Sequence, residues 1–92
     1  MQVDKTDQII RDLKKGNQEF VDKNKNNLLK HVEGQKPKVC ILTCSDSRVI
    51  PEFIFNNSIG EIFVVRVAGN IVKDSDVISS LEYAVDHLNV DT

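Results

Sequence analysis

Two short apolar runs, residues 38–43 and 61–67, constrain the fold of this chain more than any other feature of its sequence. Within each run, the side chains on both faces of an extended strand are largely apolar, and Arg66 is the main exception. Strands that are apolar on both faces are typical of parallel sheets covered by helices on both sides. The two runs therefore predict two buried strands of a parallel sheet.

Helical patterns alternate with these strands. Apolar residues recur at helical spacing over residues 4–23, and Pro51 suits the first turn of a short helix over 51–55. Asp74 or Ser75 can cap a third helix. That helix is expected to bury one apolar stripe, made of Val77, Ile78, Leu81, Ala84, Val85 and Leu88. The alternation predicts an α/β fold, in which a parallel sheet has flanking helices and right-handed crossovers.

Size and charge narrow the possible functions. The chain has 92 residues, enough for one small domain at most, and its net charge of −2, with acids spread among the bases, predicts no nucleic-acid partner. No apolar stretch reaches transmembrane length, so no membrane partner is expected. Residues 1–12 lack the apolar core of a secretory signal, and we therefore expect a cytoplasmic protein. The Asn- and Lys-rich run 22–27 is the nearest to a linker.

A cluster of reactive residues follows the first strand directly: Cys44-Ser45-Asp46-Ser47-Arg48. In open α/β sheets, ligands bind at the carboxyl ends of the strands. A thiolate is a zinc ligand, and an arginine fork can hold a carboxylate in place. The motif therefore predicts a metal site. The segment Val67-Ala68-Gly69-Asn70 follows the second strand, and it is either an ordinary turn or a wall of the same pocket.

Other readings of the cysteines are weaker. Cys44 could be a structural buried cysteine, which is how we interpret Cys40, deeper in the apolar run. The two lie four residues apart, about 13 Å along a strand, which is too far for a disulfide. A phosphatase loop would need an arginine where Ile50 stands. His31 and His87 are spare metal-ligand candidates, although a solvated or helix-edge role fits them better.

Five segments in order resemble the β-class carbonic anhydrases. They are Gly34-Gln35-Lys36-Pro37-Lys38, Cys44-Ser45-Asp46-Ser47-Arg48-Val49 with Pro51-Glu52, Gly60-Glu61-Ile62-Phe63-Val64-Val65-Arg66, Ala68-Gly69-Asn70, and Ser80-Leu81-Glu82-Tyr83-Ala84-Val85. The resemblance covers nearly the whole chain, and the spacing between the segments is compatible with the family. It implies the first half of a β-carbonic anhydrase-like fold.

The resemblance also implies an enzyme, a carbonate dehydratase (a lyase) with zinc as its cofactor. In the family, two cysteines and one histidine hold the zinc, and zinc hydroxide attacks carbon dioxide to form bicarbonate. Cys44 matches the first zinc ligand. Asp46 matches the carboxylate that accepts a hydrogen bond from the hydroxide or, in a closed form, binds the metal, and Arg48 matches the residue that holds that aspartate.

Substrate-binding roles are implied for a further set of residues: Gln35, Phe63, Ala68, Gly69, Asn70 and Tyr83. Family members often receive the glutamine that matches Gln35 from the neighbouring subunit. They associate through the N-terminal helix and the sheet edge. A homodimer or a higher homo-oligomer is therefore expected.

The chain departs from the family pattern at two places. Val67 stands where many members have asparagine, and the sequence ends at Thr92, where a third strand should begin and before the His-x-x-Cys that carries the other zinc ligands. We therefore expect residues 1–92 to form one incomplete domain, with a helical arm over 1–33 and a βαβα core over 38–92, and to have weak activity or none alone. Two alternatives stay open: a non-catalytic dimerisation scaffold, and a related zinc hydrolase acting on a small molecule such as carbon disulfide.

Overall fold

The structure is a computed structural model that describes residues 5–70 and 72–92, apart from the side chain of Asn70. The chain divides into two compact units, Met1–Val32, described from residue 5 onward, and Glu33–Thr92. No helix in the described ranges is both long enough and apolar enough to cross a membrane.

The first unit consists mainly of one helix, α1, Lys5–Lys30. Its end lies well beyond the predicted end at residue 23, so the interpretation of residues 22–27 as a near-linker is wrong. The polar residues there bond within the helix: Asn24 Nδ2 donates to the carbonyl of Phe20 at 2.9 Å. No glycine or proline interrupts the run, so polar composition alone does not end the helix.

No described residue of α1 is buried. Its apolar side chains recur along the helix yet stay in solvent, and Leu13 and Leu29 are 68% and 63% exposed. Exposed apolar side chains in this number are unusual on a helix that packs only within its own chain.

The second unit alternates strands and helices as predicted. Its elements are β1 (Val39–Cys44), α2 (Pro51–Ile54), β2 (Ile62–Val67), a 3₁₀ turn (Ala68–Asn70) and α3 (Ser75–Asp86). β1 and β2 are parallel, in a register that runs from Val39 beside Ile62 to Cys44 beside Val67. The predicted α/β class, with parallel strands and flanking helices, is confirmed.

The core is small and lies between β2 and α3. Val65, Val77 and Ala84 are buried. Asp74 caps α3, because its side chain accepts the backbone N–H of Asp76 at 2.7 Å. The predicted apolar stripe of α3 is only partly buried, since Ile78 is 40% exposed and Val85 is 60% exposed. A helix that packs on two strands buries only its central line of contact, and the flanking positions stay in solvent.

The last two residues lie along the other edge of β1. The backbone N–H of Asp91 donates to the carbonyl of Lys38, and the N–H of Cys40 donates to the carbonyl of Thr92, both at 2.8 Å. β1 therefore has backbone partners on both sides. This segment occupies the place where the sequence predicts the start of a third strand.

Candidate metal centre

The two strands end side by side. Cys44, the last residue of β1, lies level with Val67, the last residue of β2. The N–H of Ser45 continues the pairing by donating to the carbonyl of Val67 at 3.1 Å. The structure therefore brings together the loop of residues 45–50, hereafter the strand-end loop, and the 3₁₀ turn after β2, because carboxyl ends of parallel strands share one edge.

The Cys44 sulfur lies among backbone N–H groups. The N–H of Gly69, and then that of Asp46, donate to it and lower the pKa of the Cys44 thiol, with a smaller contribution from Ser45. Partial burial and the negative charge of Asp46 oppose this shift without reversing it. The thiolate is the form that binds metals, so these donors favour the form of Cys44 that a metal site needs.

Gly69 owes its contact to an unusual backbone conformation. Its φ of 80° and ψ of −3° lie in the left-handed region, which glycine adopts without a steric penalty. This turn directs the Gly69 N–H at Cys44. The sequence predicts a substrate-binding role for Gly69 but not this contact; the signal for it was a glycine two residues after the end of the strand that lies beside the Cys44 strand.

Asp46 and Arg48 form the predicted fork. Arg48 donates to Asp46 Oδ1 from its backbone N at 2.8 Å and from Nε at 3.0 Å, and its Nη2 donates to Oδ2 at 2.7 Å. The side-chain hydrogen bond from Arg48 is the largest cause that lowers the pKa of the Asp46 carboxyl, followed by the backbone N–H of Arg48. Asp46 is therefore held ionised, as an acceptor with a fixed orientation.

Arg66 also contacts this loop. Its Nη2 donates to the carbonyl oxygen of Asp46 at 2.9 Å and to that of Val49 at 2.8 Å. The sequence identifies Arg66 only as a charged exception in an apolar strand and gives it no role at the site. The signal that could have found it was this charge one residue before the strand ends.

Cys40 lies in a different environment. It faces the same side of β1 as Cys44 but is level with Phe63 instead of with the end of β2. Burial raises the pKa of its thiol. Both cysteines are free.

Phe63 and Tyr83 contact each other, with ring centroids 6.0 Å apart, and Tyr83 also lies 5.3 Å from the ring of His87. This cluster is level with Cys40, about 13 Å along the strand from Cys44. His87, the spare-ligand candidate, is the C-cap of α3 and lies in this aromatic cluster.

The remaining predicted substrate-binding residues divide by position. Gln35 is exposed and precedes β1, so it lies on the side of the strand's amino end, whereas Cys44 is at its carboxyl end. Ala68 lines a pocket of about 540 Å³ together with Val67, Lys73, Asp74, Asp76 and Val77. The side chain of Asn70 lies outside the described residues.

The donor set for a metal is incomplete. Within residues 5–70 and 72–92, no three His, Cys, Asp or Glu side chains lie close enough together to hold an ion. Cys44 fits one position of a zinc site by its chemistry, and Asp46 lies beside it. Structural and catalytic zinc sites use three or four protein ligands, so these residues do not close such a site by themselves.

Comparison with known proteins gives a consistent picture. The sequence model of a family described as carbonic anhydrase matches residues 39–92. Carbonic anhydrase 2 of Mycobacterium tuberculosis is 45% identical over 85 residues, which are 85% of this chain and 41% of that protein. A carbonic anhydrase of Pseudomonas aeruginosa is 48% identical over 61 residues, 61% of this chain and 28% of that protein. The chain thus spans less than half the length of these relatives.

Solved structures share the fold. The Coccomyxa β-carbonic anhydrase in complex with acetazolamide superposes with a TM-score of 0.73 at 36% identity, over 97% of this chain and 40% of that one. A tetrameric β-carbonic anhydrase of Sordaria macrospora gives a TM-score of 0.77 at 32% identity, over 91% of this chain and 45% of that one. Since the family match covers more than half of the sequence and the same α/β arrangement recurs in these proteins, the chain belongs to the β-class carbonic anhydrase family.

Proposed function

We propose that this chain supplies part of a zinc site that hydrates carbon dioxide to bicarbonate. The observation that carries the proposal is the Asp46–Arg48 pair, which lies in the loop directly after Cys44, whose thiol pKa is lowered by the N–H groups of Gly69 and Asp46. The relatives that the chain matches are named carbonic anhydrases, which supports the same chemistry here.

Each residue has a physical role in this proposal. Cys44 binds zinc as a thiolate, and zinc, when bound, lowers the pKa of water to about 7 and so makes a nucleophile available at neutral pH. Asp46 is ionised and accepts hydrogen bonds only, so it selects and orients a protonated oxygen. Arg48 keeps that carboxylate ionised and in place.

Carbon dioxide suits the apolar side of the neighbouring pocket. Val67, Ala68 and Val77 give that pocket apolar walls, and Val67 lies level with Cys44 in the sheet. We retain the substrate-binding roles of Asn70, Phe63 and Tyr83 as part of the proposal. The position of the two aromatic rings, level with Cys40 and about 13 Å along the strand from Cys44, supports a place away from the metal.

Gln35 acts on the site of a second copy in this proposal. It precedes the end of β1 opposite to Cys44, which supports a role at Cys44 of a second copy and not of its own chain. A homo-oligomer would bring Gln35 of one copy to Cys44 of another. The exposed apolar residues of α1 supply a surface for such an association. The tetrameric Sordaria macrospora relative supports association. A reducing compartment such as the cytoplasm suits the two free thiols.

The described residues do not supply the remaining zinc ligands. The last two residues lie beside β1 level with Cys40, and a chain that continued in this direction would reach the level of Cys44 after about four residues. Loop residues after such a strand would meet Cys44. We therefore expect the 92-residue chain alone to bind zinc weakly and to give no measurable hydration of carbon dioxide.

A chimera tests the proposal. This chain replaces the segment that it matches in the Mycobacterium tuberculosis relative, and zinc content and carbon dioxide hydration are measured by mass spectrometry and stopped flow. We expect a zinc-loaded, active chimera. Cys44→Ser should remove both zinc and activity, and the matched control Cys40→Ser should keep both.

Other outcomes would count against the proposal. A folded, zinc-loaded chimera without hydration would favour a related zinc hydrolase, and hydrolysis of carbon disulfide would then be assayed. A folded chimera that binds no zinc, or one whose zinc survives Cys44→Ser, would favour the scaffold alternative.

A further inference from the structure

Arg66 connects the strand-end loop to the sheet over a long stretch of sequence. Its Nη2 bonds to the carbonyls of Asp46 and Val49 span 20 and 17 residues. Apart from the Gly69 N–H that the Cys44 sulfur accepts, every other side-chain hydrogen bond found among the described residues joins partners no more than four residues apart. Arg66 is therefore the side chain through which β2 constrains this loop.

The Asp46–Arg48 pair cannot anchor the loop by itself. It joins two residues of the same loop, so it fixes their mutual geometry but not their place relative to the sheet. The Arg48 side chain is 87% exposed, and ion pairs in water contribute little. The backbone bond from Ser45 to Val67 holds only the first residue of the loop.

The two carbonyls that Arg66 holds belong to one turn. The Asp46 carbonyl also accepts the N–H of Val49 at 3.0 Å, so Arg66 binds both ends of the turn that carries Arg48. A guanidinium directs its N–H groups in a fixed plane, whereas a lysine ammonium lacks this fork. An arginine at this position therefore sets the direction of the turn as well as its distance from β2.

We propose that Arg66 is a positioning residue, which orients the Asp46–Arg48 pair next to Cys44 through the carbonyls of Asp46 and Val49. The importance of this role for activity rests on the proposed function, because the Asp46–Arg48 pair affects activity only if the chain forms part of a zinc site. Its geometry depends on neither metal nor substrate.

The test follows the Arg48 side chain by NMR in the metal-free 92-residue chain. In Arg66→Met, we expect water exchange of the Arg48 Nε–H and of the Val49 amide to accelerate about tenfold or more, the equivalent of one lost hydrogen bond to a charged group. The amides of Val65 and Ala84 should keep their exchange rates. Arg66→Lys should restore part of the protection.

Arg11→Met is the matched control. It removes the same charge from an exposed arginine of α1 whose guanidinium donates, among the described residues, to Gln8 three positions away. The Arg48 signals should not change in this variant, which separates the contact from a general effect of net charge.

Two results would overturn the inference. One is an unchanged Arg48 Nε–H in Arg66→Met, and the other is an equal loss of protection at Val65 and Ala84, which would make Arg66 a general support of the fold. If Arg66→Met does not fold, the same two criteria are applied to Arg66→Lys. Since no metal or substrate enters this test, an inactive chimera would overturn the proposed function and leave this inference standing, and the converse also holds.

Discussion

Each end of the β1–β2 pair has one cysteine, but the two cysteines lie in different surroundings. At the amino end, burial raises the pKa of the Cys40 thiol, and the Phe63 and Tyr83 rings pack nearby. At the carboxyl end, the Gly69 N–H lowers the pKa of Cys44. The position along a strand, and not the residue type, therefore decides which cysteine is suited to chemistry.

The contrast extends to the surroundings of each end. The carboxyl end is held by hydrogen bonds to loops: the Asp46–Arg48 fork, the Arg66 contacts and the Gly69 turn. The amino end is held mainly by apolar packing against α3, where Ala84 is fully buried. Substitutions at the carboxyl end should therefore change the reactivity of the Cys44 thiol, and substitutions at the amino end should change the free energy of unfolding.

Thiol reactivity measures this contrast most directly. Because the pKa of Cys44 is lowered and that of Cys40 is raised, Cys44 has the larger thiolate fraction at neutral pH. We expect iodoacetamide to alkylate Cys44 faster than Cys40 at neutral pH, because the thiolate is the nucleophile. Mass spectrometry of single-cysteine variants Cys40→Ser and Cys44→Ser gives the two rates, and equal rates would contradict the contrast.

Gly69→Ala should reduce the difference in reactivity between Cys44 and Cys40. An alanine side chain disfavours the positive φ that directs the Gly69 N–H at the Cys44 sulfur. The pH at which Cys44 becomes reactive should therefore rise toward that of an ordinary thiol. Gly16→Ala in α1, where an added Cβ meets nothing within 4 Å, is the matched control and should leave the Cys44 profile unchanged.

Stability should respond at the other end of the pair. Ala84 has no exposed surface, so Ala84→Leu overpacks the contact between α3 and the sheet and should cost about 1–3 kcal/mol in the free energy of unfolding. Val85→Leu, at a position that is 60% exposed, is the control and should change the free energy of unfolding little. Denaturant unfolding measures both, and a similar cost for the two variants would show that α3 packs differently.

The strands and the fold class could be predicted from the sequence because their evidence is local. Runs that are apolar on both faces predict β1 and β2. The Asp46–Arg48 pair is likewise local, because it joins residues only two positions apart. The end of α1 could not be placed, because its polar residues bond within the helix as well as they would in a loop.

The contacts of Gly69 and Arg66 needed the register between the strands. Gly69 meets Cys44, and Arg66 meets Asp46, only because β1 and β2 run parallel and end level with each other. The sequence predicts parallel strands but not this register, which depends on the loop that joins them. The exposure of Val85 on α3 likewise depends on how many strands the helix covers.

At the amino end, Glu61 accepts hydrogen bonds from Asn57 and Ser58, and this clamp should make stability depend slightly on pH. Glu61 Oε1 accepts the Ser58 N–H at 2.7 Å and the Ser58 hydroxyl, and Oε2 accepts from Asn57 at 3.3 Å. The Ser58 hydroxyl, then its N–H, lower the pKa of Glu61, and the charge of Lys38 adds to this.

A lowered pKa in the folded state means that the Glu61 carboxylate stabilises the fold above its unfolded pKa, and that this stabilisation is lost as the pH falls through the folded pKa. Glu61→Gln should therefore be less stable than the wild type at neutral pH, and the two should converge on acidification. Urea unfolding across this range measures the difference, with Glu19→Gln in α1 as the control. A constant gap between Glu61→Gln and the wild type at every pH would mean that the clamp acts through its shape and not its charge.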